Sequence, residues 1–161
     1  MPQPSWRGWS DRYNLASALP PFPPHPHGSD MSHILKLRGL AAFSASRLAR
    51  LQAAVPGLAG LQAEHWYFVE VDAGLDAQEQ ARLKDLLGIP ADLPAAPKGD
   101  LLLVTPRLGT ISPWASKATD IARNCGFAGI KRIERGIVYH LAGKGLDRNA
   151  VAARLHDRMT E

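Results

Sequence analysis

From residue 31 onward the chain alternates four times between strand-like and helix-like segments, and this alternation limits the folds open to it. Strands are predicted where β-branched and aromatic side chains gather, and helices where apolar residues recur at intervals of three and four. The predicted strands cover residues 33–38, 61–72, 101–104 and 130–141. Each is followed by one predicted helix. The order repeats after a Pro/Ala-rich loop at 89–99, which predicts two similar strand–helix–strand–helix halves.

Local signals mark where the helices begin. Ser44 or Ser46 can cap the first helix, and Asp76 followed by Glu79 is the signature of a capping box. Two later helices are predicted to start at Ser112-Pro113 and after Asp147, the last carrying Val151, Leu155 and Met159 on its apolar side. Such short helices need a sheet on which to bury these stripes.

The alternation predicts an α+β fold, ferredoxin-like, with the helices on one face of a mainly antiparallel or mixed sheet. Connections of a single helix also permit a parallel, doubly wound sheet. The long Pro-rich loop between the halves favours the first arrangement.

Residues 1–30 differ from the rest, because they hold seven of the 13 prolines and show no helical or strand period. This composition predicts a disordered leader, which lacks the apolar surface needed to offset the entropy of ordering. Met31 opens the first patterned sequence and is the expected natural start. One folded domain is predicted for residues 31–145.

The net charge of +4 is not concentrated in one segment. Its densest basic stretch, with Lys131, Arg132 and Arg135, is interrupted by Glu134 and is interpreted as a solvated sheet face. No interleaved aromatic residues of the RNA-binding kind accompany it, so no nucleic-acid partner is expected. The sequence also lacks a membrane-length apolar run and a secretory signal, which predicts a cytoplasmic protein without a membrane partner.

No catalytic, metal-binding or cofactor-binding constellation is apparent. Cys125 precedes Gly126 at a predicted helix end and is expected to be a buried, inert thiol. The six histidines lack metal-ligand spacing, and Gly109 stands alone in its turn without the Lys-Ser/Thr of a phosphate loop.

Recognisable local signals are most closely spaced at residues 105–121, where they predict a strand end, a turn and a helix start capped by Ser112. Such a start has free N–H groups that can hold an anion. A stripe at helical spacing is predicted to face the core: Trp114, Ala118, Ile121, Ala122 and Cys125. The side with Lys117, Asp120 and Asn124 is predicted to face outward.

The stretch Thr-Pro-Arg-x-Gly-Thr-Ile-Ser-Pro-Trp-x-Ser-Lys-Ala-Thr-Asp-Ile at 105–121, followed by Asn124-Cys125-Gly126, resembles the amino-terminal domain of large phosphoribosylformylglycinamidine synthases. These enzymes are also called formylglycinamide ribonucleotide amidotransferases. The stretches Arg132-x-Glu134-Arg135-Gly136 and Leu155-His156-Asp157-Arg158-Met159 resemble the same family, so that the similarity covers roughly residues 31–161.

The resemblance implies a part of a multidomain purine-biosynthetic ligase that uses ATP, with Mg²⁺, and glutamine. In that family the synthase site and the glutaminase triad lie in later domains, so this chain is expected to hold no catalytic or cofactor site. Its expected partners are those domains of the same polypeptide, towards which residues 146–161 would lead. The implied role is to join glutaminase and synthase and to help shelter ammonia passing between them.

The predicted docking residues are Arg107, Thr110 and Lys117. Exposed side chains usually contribute little to stability, so the fold alone does not require these particular residues at an exposed turn. A second hypothesis, from a different class, is an autonomous phosphate- or nucleotide-binding module that uses the turn at 107–117. The first hypothesis requires a partner domain, whereas the second requires only a small anion.

Overall fold

The computed structural model describes residues 33–157 and 159–161, which form four strands and four helices in strict alternation. The first half contains β1 (His33–Ala41), α1 (Ala45–Ala53), β2 (Gly60–Val71) and α2 (Ala77–Leu86). The second half contains β3 (Asp100–Val104), α3 (Pro113–Asn124), β4 (Ile130–Ala142) and α4 (Arg148–Leu155). These bounds agree with the sequence prediction to within a few residues.

All described strand pairings are antiparallel, and the strand order is β1-β2-β4-β3. Each half therefore contributes one antiparallel pair, and the long strands β2 and β4 join the halves along a register from Gly60 opposite Ala142 to Val71 opposite Ile130. The α+β prediction is confirmed. The parallel, doubly wound alternative is wrong for this chain.

The four helices pack on the same face of the sheet. One core cluster joins Leu83 of α2 and Ala122 of α3 to Tyr67, Val69 and Ile133 on the sheet. A second cluster joins α4 to the other ends of β2 and β4, through Leu61, Ala63, Tyr139, Leu141, Val151 and Leu155, and Leu48 and Leu51 of α1 pack against it. Because the β2 residues in both clusters have odd numbers, and side chains alternate along a strand, both clusters lie on one face.

The helix starts follow the predicted capping chemistry. Asp76 and Glu79 form a complete capping box on α2, with the Glu79 N–H donating to the Asp76 carboxylate over 2.8 Å. For α1, Ser44 is the capping residue. Asp147 caps α4, but this helix ends at Leu155, so Met159 lies beyond it and is 78% exposed. The predicted inward position of Met159 is wrong.

The opposite face of the sheet carries no helix among the described residues. Ile34, Leu101 and Leu103 on the two edge strands are exposed there. Arg38 and Glu64 form a bidentate ion pair on this face, with distances of 2.8 and 2.5 Å from Nε and Nη2 to the two carboxylate oxygens. Arg38 also donates to the Pro94 carbonyl of the loop between the halves, and this contact anchors the loop beside β1.

The predicted leader at 1–30 and the expected start at Met31 lie outside the described residues. Within the described part of the chain, no helix has the length and apolar character needed to cross a bilayer.

Candidate functional site

In the turn from β3 to α3, at residues 105–112, several backbone N–H and C=O groups have hydrogen-bond partners. The N–H and the hydroxyl of Thr110 both donate to the Arg107 carbonyl, over 3.1 and 2.6 Å. The Thr110 carbonyl in turn accepts from Arg132 Nη2 over 2.9 Å, and the Arg107 N–H donates to the Thr160 carbonyl. Thr110 is therefore accounted for by turn geometry alone.

Ser112 connects this turn to β4. Its Oγ accepts from the Ala115 N–H as the cap of α3 and donates to a carboxylate oxygen of Glu134 over 2.9 Å. Burial raises the pKa of Glu134, but hydrogen bonds from Arg132, the Arg135 N–H and Ser112 outweigh it and hold that pKa below its usual value. The motifs at 105–121 and 132–136 are thus in direct contact.

The outer surface of the turn exposes two large apolar side chains. Leu108 is fully exposed, and Ile111 is 64% exposed. Ile111, Arg107 and Met159 line a shallow cavity of about 390 Å³ beside the start of α3. We call residues 106–111 together with Met159 the turn surface.

Helix α3 faces the sheet with small residues. Ala115 and Ala122 are completely buried, and Thr119 is buried between them. The Thr119 hydroxyl donates to the Ala115 carbonyl over 2.7 Å and accepts from the Ile133 N–H over 2.9 Å. Because these side chains are small, α3 lies close to β4. This close contact, rather than burial of large apolar residues, determines which side of α3 faces the sheet.

Two predictions for α3 are therefore wrong. Ile121 is 46% exposed instead of facing the core, and Cys125 is an exposed thiol instead of a buried one. Trp114 and Ala118 do pack against the core, but from the flank of the helix. Lys117, Asp120 and Asn124 are exposed, as predicted.

A groove lies between α2 and α3, with a volume of about 340 Å³. Tyr67 of β2 and Arg135 of β4 are directly opposite each other in the sheet and belong to its lining. The other lining residues come from the two helices: Leu86, Leu87, Trp114, Lys117, Ala118 and Ile121. We call this the α2–α3 groove. Its lining is apolar and aromatic apart from two cations and one phenol.

Arg135 is the unusual residue of the groove. Its guanidinium carbon lies 4.7 Å from the centre of the Trp114 ring, and Trp114 is itself stacked at a tilt against Tyr67 with ring centres 5.8 Å apart. Neither Arg135 nor Lys117 has a carboxylate partner within residues 33–157 and 159–161. By contrast, Arg132 is paired with Glu134 over 2.7 Å.

The charge of Arg135 acts on its neighbours. Burial raises the pKa of Tyr67, and the nearby guanidinium opposes this rise because it favours the phenolate. Burial lowers the pKa of His65, and here Arg135 lowers it further because two cations repel. Arg135 and Lys117 therefore make the groove electropositive, and the charge of Arg135 also reaches His65, which lies outside the groove lining.

The structure separates the three predicted docking residues. Arg107 and Thr110 share the turn surface, whereas Lys117 lines the α2–α3 groove. The prediction of a solvated basic face at 131–135 missed that Arg135 lies on the helix side. Strand alternation contained that signal, since Arg135 stands between Ile133 and Ile137, which belong to the core.

A metal site has no apparent basis in the described residues, where no three His, Cys, Asp or Glu side chains are grouped to hold an ion. In comparison with known families, residues 64–161 match the family described as formylglycinamide ribonucleotide amidotransferase N-terminal. The match covers more than half of the chain and contains the turn surface and all lining residues of the α2–α3 groove.

Proposed function

Because this chain belongs to the amino-terminal family of formylglycinamide ribonucleotide amidotransferases, we propose that it is the docking domain of that enzyme. The family connects the chain to purine biosynthesis. In the proposed role the domain holds the synthase and glutaminase domains together, and it helps shelter the ammonia that passes from one to the other. The chemistry belongs to those other domains, which would bind glutamine, ATP and Mg²⁺ in the cytoplasm.

The turn surface is the observation that carries this proposal. Ile111 and Met159 are largely exposed and line one shallow cavity, and Leu108 is fully exposed on the same turn, whose backbone groups at Arg107 and Thr110 already have partners. The fold gains little burial from these side chains, and clustered exposed apolar residues are typical of protein contacts. Arg107 adds an exposed cation to the same surface.

The second hypothesis, an anion-binding module at the start of α3, has less support. The Glu134 carboxylate lies 2.9 Å from the Ser112 hydroxyl that caps this helix. A negative charge held there repels a phosphate at the same helix start. The cap also occupies the Ala115 N–H, which an anion would otherwise use.

The docking proposal is tested by Ile111→Asp in the complete amidotransferase. Glutamine-dependent synthesis is expected to fall about tenfold, while synthesis from added ammonia is retained, because a buried charge weakens the contact between domains. The isolated chain should melt at an unchanged temperature. The matched control is Ile34→Asp, since Ile34 is 61% exposed and Ile111 64%.

Equal glutamine-dependent activity in the Ile111→Asp enzyme and the parent enzyme would contradict docking at the turn surface. So would loss of folding in the isolated variant chain, because Ile111 would then be a packing residue. Replacing Arg107, Thr110 and Lys117 together by Ala tests the predicted docking residues in the same assay. Thr110→Ser separates the hydroxyl's role in the turn from any contact made by the methyl group.

A further inference from the structure

The α2–α3 groove contains a half-buried cation that the described fold leaves without a counter-charge. Charged side chains that lose contact with water are normally paired, because desolvation of a lone charge is costly. On the sheet, Arg38 and Arg132 follow this rule with Glu64 and Glu134. Arg135 departs from it, with the face of Trp114 as its neighbour instead of a carboxylate.

The groove supplies more than a lone charge. Lys117 adds a second cation to its lining, and no acidic side chain is among the lining residues. The phenol of Tyr67 makes no hydrogen bond within the described part of the chain, so a donor is available beside the guanidinium. An acceptor with negative charge would satisfy these three groups together.

The apolar residues of the groove lining indicate what kind of ligand would carry the negative charge. Leu86 and Ile121 are 37% and 46% exposed at the groove, and Trp114 and Ala118 continue the apolar surface inward. A free phosphate would leave these side chains in water. A polypeptide segment can cover them with an apolar side chain while a neighbouring carboxylate contacts the cations.

We propose that the α2–α3 groove binds an acidic polypeptide segment, with its carboxylate on Arg135 and Lys117 and an adjacent apolar side chain against Trp114 and Ile121. Aromatic and arginine residues in partly desolvated pockets are the usual anchors of protein contacts. The inference deepens the proposed function and rests on it only for the partner's identity, which would be another domain of the amidotransferase.

The test uses the whole 161-residue chain and the peptide N-acetyl-Phe-Glu-Leu-amide, with the Gln peptide as its uncharged counterpart. The indole N–H signal of Trp114 is followed by NMR while peptide is added into the tens of millimolar. Saturable shifts are expected with the Glu peptide, and roughly tenfold weaker binding is expected with the Gln peptide, since a charge-assisted contact is lost. Arg135→Gln and Lys117→Gln should each weaken binding of the Glu peptide, whereas Lys36→Gln, at an exposed cation on β1, should not.

Arg135→Gln should also leave the melting temperature unchanged or raised, because the described fold supplies only the Trp114 ring and no carboxylate to offset the desolvation of the guanidinium. A lower melting temperature would identify Arg135 as a packing residue and overturn the proposal. Equal binding of the two peptides, no saturable shift, or tighter binding of inorganic phosphate at the same signals would also overturn it. Self-association of the chain that Arg135→Gln abolishes would make the occupant a second copy instead. None of these outcomes bears on the Ile111→Asp assay, which tests the turn surface separately.

Discussion

At the scale of single residues, several positions that resemble the family are explained by their structural contacts. Thr110 closes the turn on the Arg107 carbonyl, and Ser112 joins the cap of α3 to Glu134. Thr119 links α3 to β4 through one hydroxyl with two partners. Arg135, by contrast, contacts the Trp114 ring but has no carboxylate partner in the described fold.

Thr119→Val is expected to destabilise the chain by about 1–3 kcal/mol. The substitution preserves shape but leaves the Ile133 N–H without its acceptor, and a buried unsatisfied donor costs about that amount. The free energy of unfolding, from urea titration, measures the loss. Thr119→Ser keeps the hydroxyl and serves as the control. Equal stability of the Val variant and the parent chain would show that this hydrogen bond contributes nothing.

Glu64→Gln is expected to destabilise the chain by about 2–3 kcal/mol at pH 7, because it leaves Arg38 without its counter-charge in a largely buried pair. The hydrogen bonds and charge of Arg38 hold the pKa of Glu64 below 4.5. A carboxyl with a lowered folded pKa contributes stability above its unfolded value and loses it as pH falls through the folded value.

The difference in unfolding free energy between the parent chain and Glu64→Gln should therefore stay constant from pH 7 down to the ordinary carboxyl value of 4.5 and shrink as pH falls below it, towards the folded pKa. Urea titrations across this range measure it. Glu70→Gln, on the same face of β2, is the control and should change stability by no more than about 0.5 kcal/mol. A difference that stays constant with pH would mean that ionisation of Glu64 does not stabilise the fold.

At the scale of elements, the sequence predicted those features that depend only on neighbouring residues. The capping box of Asp76 and Glu79 and the Ser112 cap need only neighbouring residues, so both were predictable and both are present. The buried side of α3 was predicted in part: Ala122 is buried and Trp114 and Ala118 pack against the core as expected, but Ile121 and Cys125 are exposed. Ala115, which was not in the predicted stripe, is completely buried, because close packing on the sheet beneath the helix favours a small side chain there.

Gly136→Ala is expected to destabilise the chain by about 1–3 kcal/mol by forcing β3 away from β4. A Cβ at this position would lie 2.9 Å from the Val104 carbonyl oxygen and 3.1 Å from Thr105 Cγ2, and overpacking of this kind costs about that much. Thermal melting measures the effect. The control is Gly129→Ala, where an added Cβ meets nothing within 4 Å. Equal melting of both variants would mean that the edge strand yields without cost.

At the scale of the whole molecule, the repeated order of elements predicted the α+β class but left the strand order open. The order β1-β2-β4-β3 follows from pairing between distant segments. The Arg38–Glu64 pair and the α2–α3 groove depend on that order, since each combines residues from separate strands or helices. Those sites therefore could not be predicted from local pattern, although alternation on β4 did contain the orientation of Arg135.

The isolated chain is predicted neither to hydrolyse glutamine nor to turn over ATP. The sequence offers no nucleophile with an adjacent base and no phosphate loop, and Cys125 is an exposed thiol at the end of α3. Release of glutamate and of phosphate measures the two activities. The complete amidotransferase serves as the positive control, and any release above a buffer blank by purified chain would contradict the prediction.

The central pairing of β2 with β4 also determines how the chain must fold. Residues such as Val69 and Ile133 are 64 positions apart, so the two strands meet only after a long loop has closed, at an entropic cost that grows slowly with its length. The antiparallel pairs β1–β2 and β3–β4, each connected through one helix, close shorter loops and can form earlier. We expect folding to be limited by the meeting of the halves. Contacts within the pairs β1–β2 and β3–β4, which form beforehand, would then affect mainly the folding rate, whereas contacts completed after β2 and β4 meet would determine mainly how fast the domain unfolds.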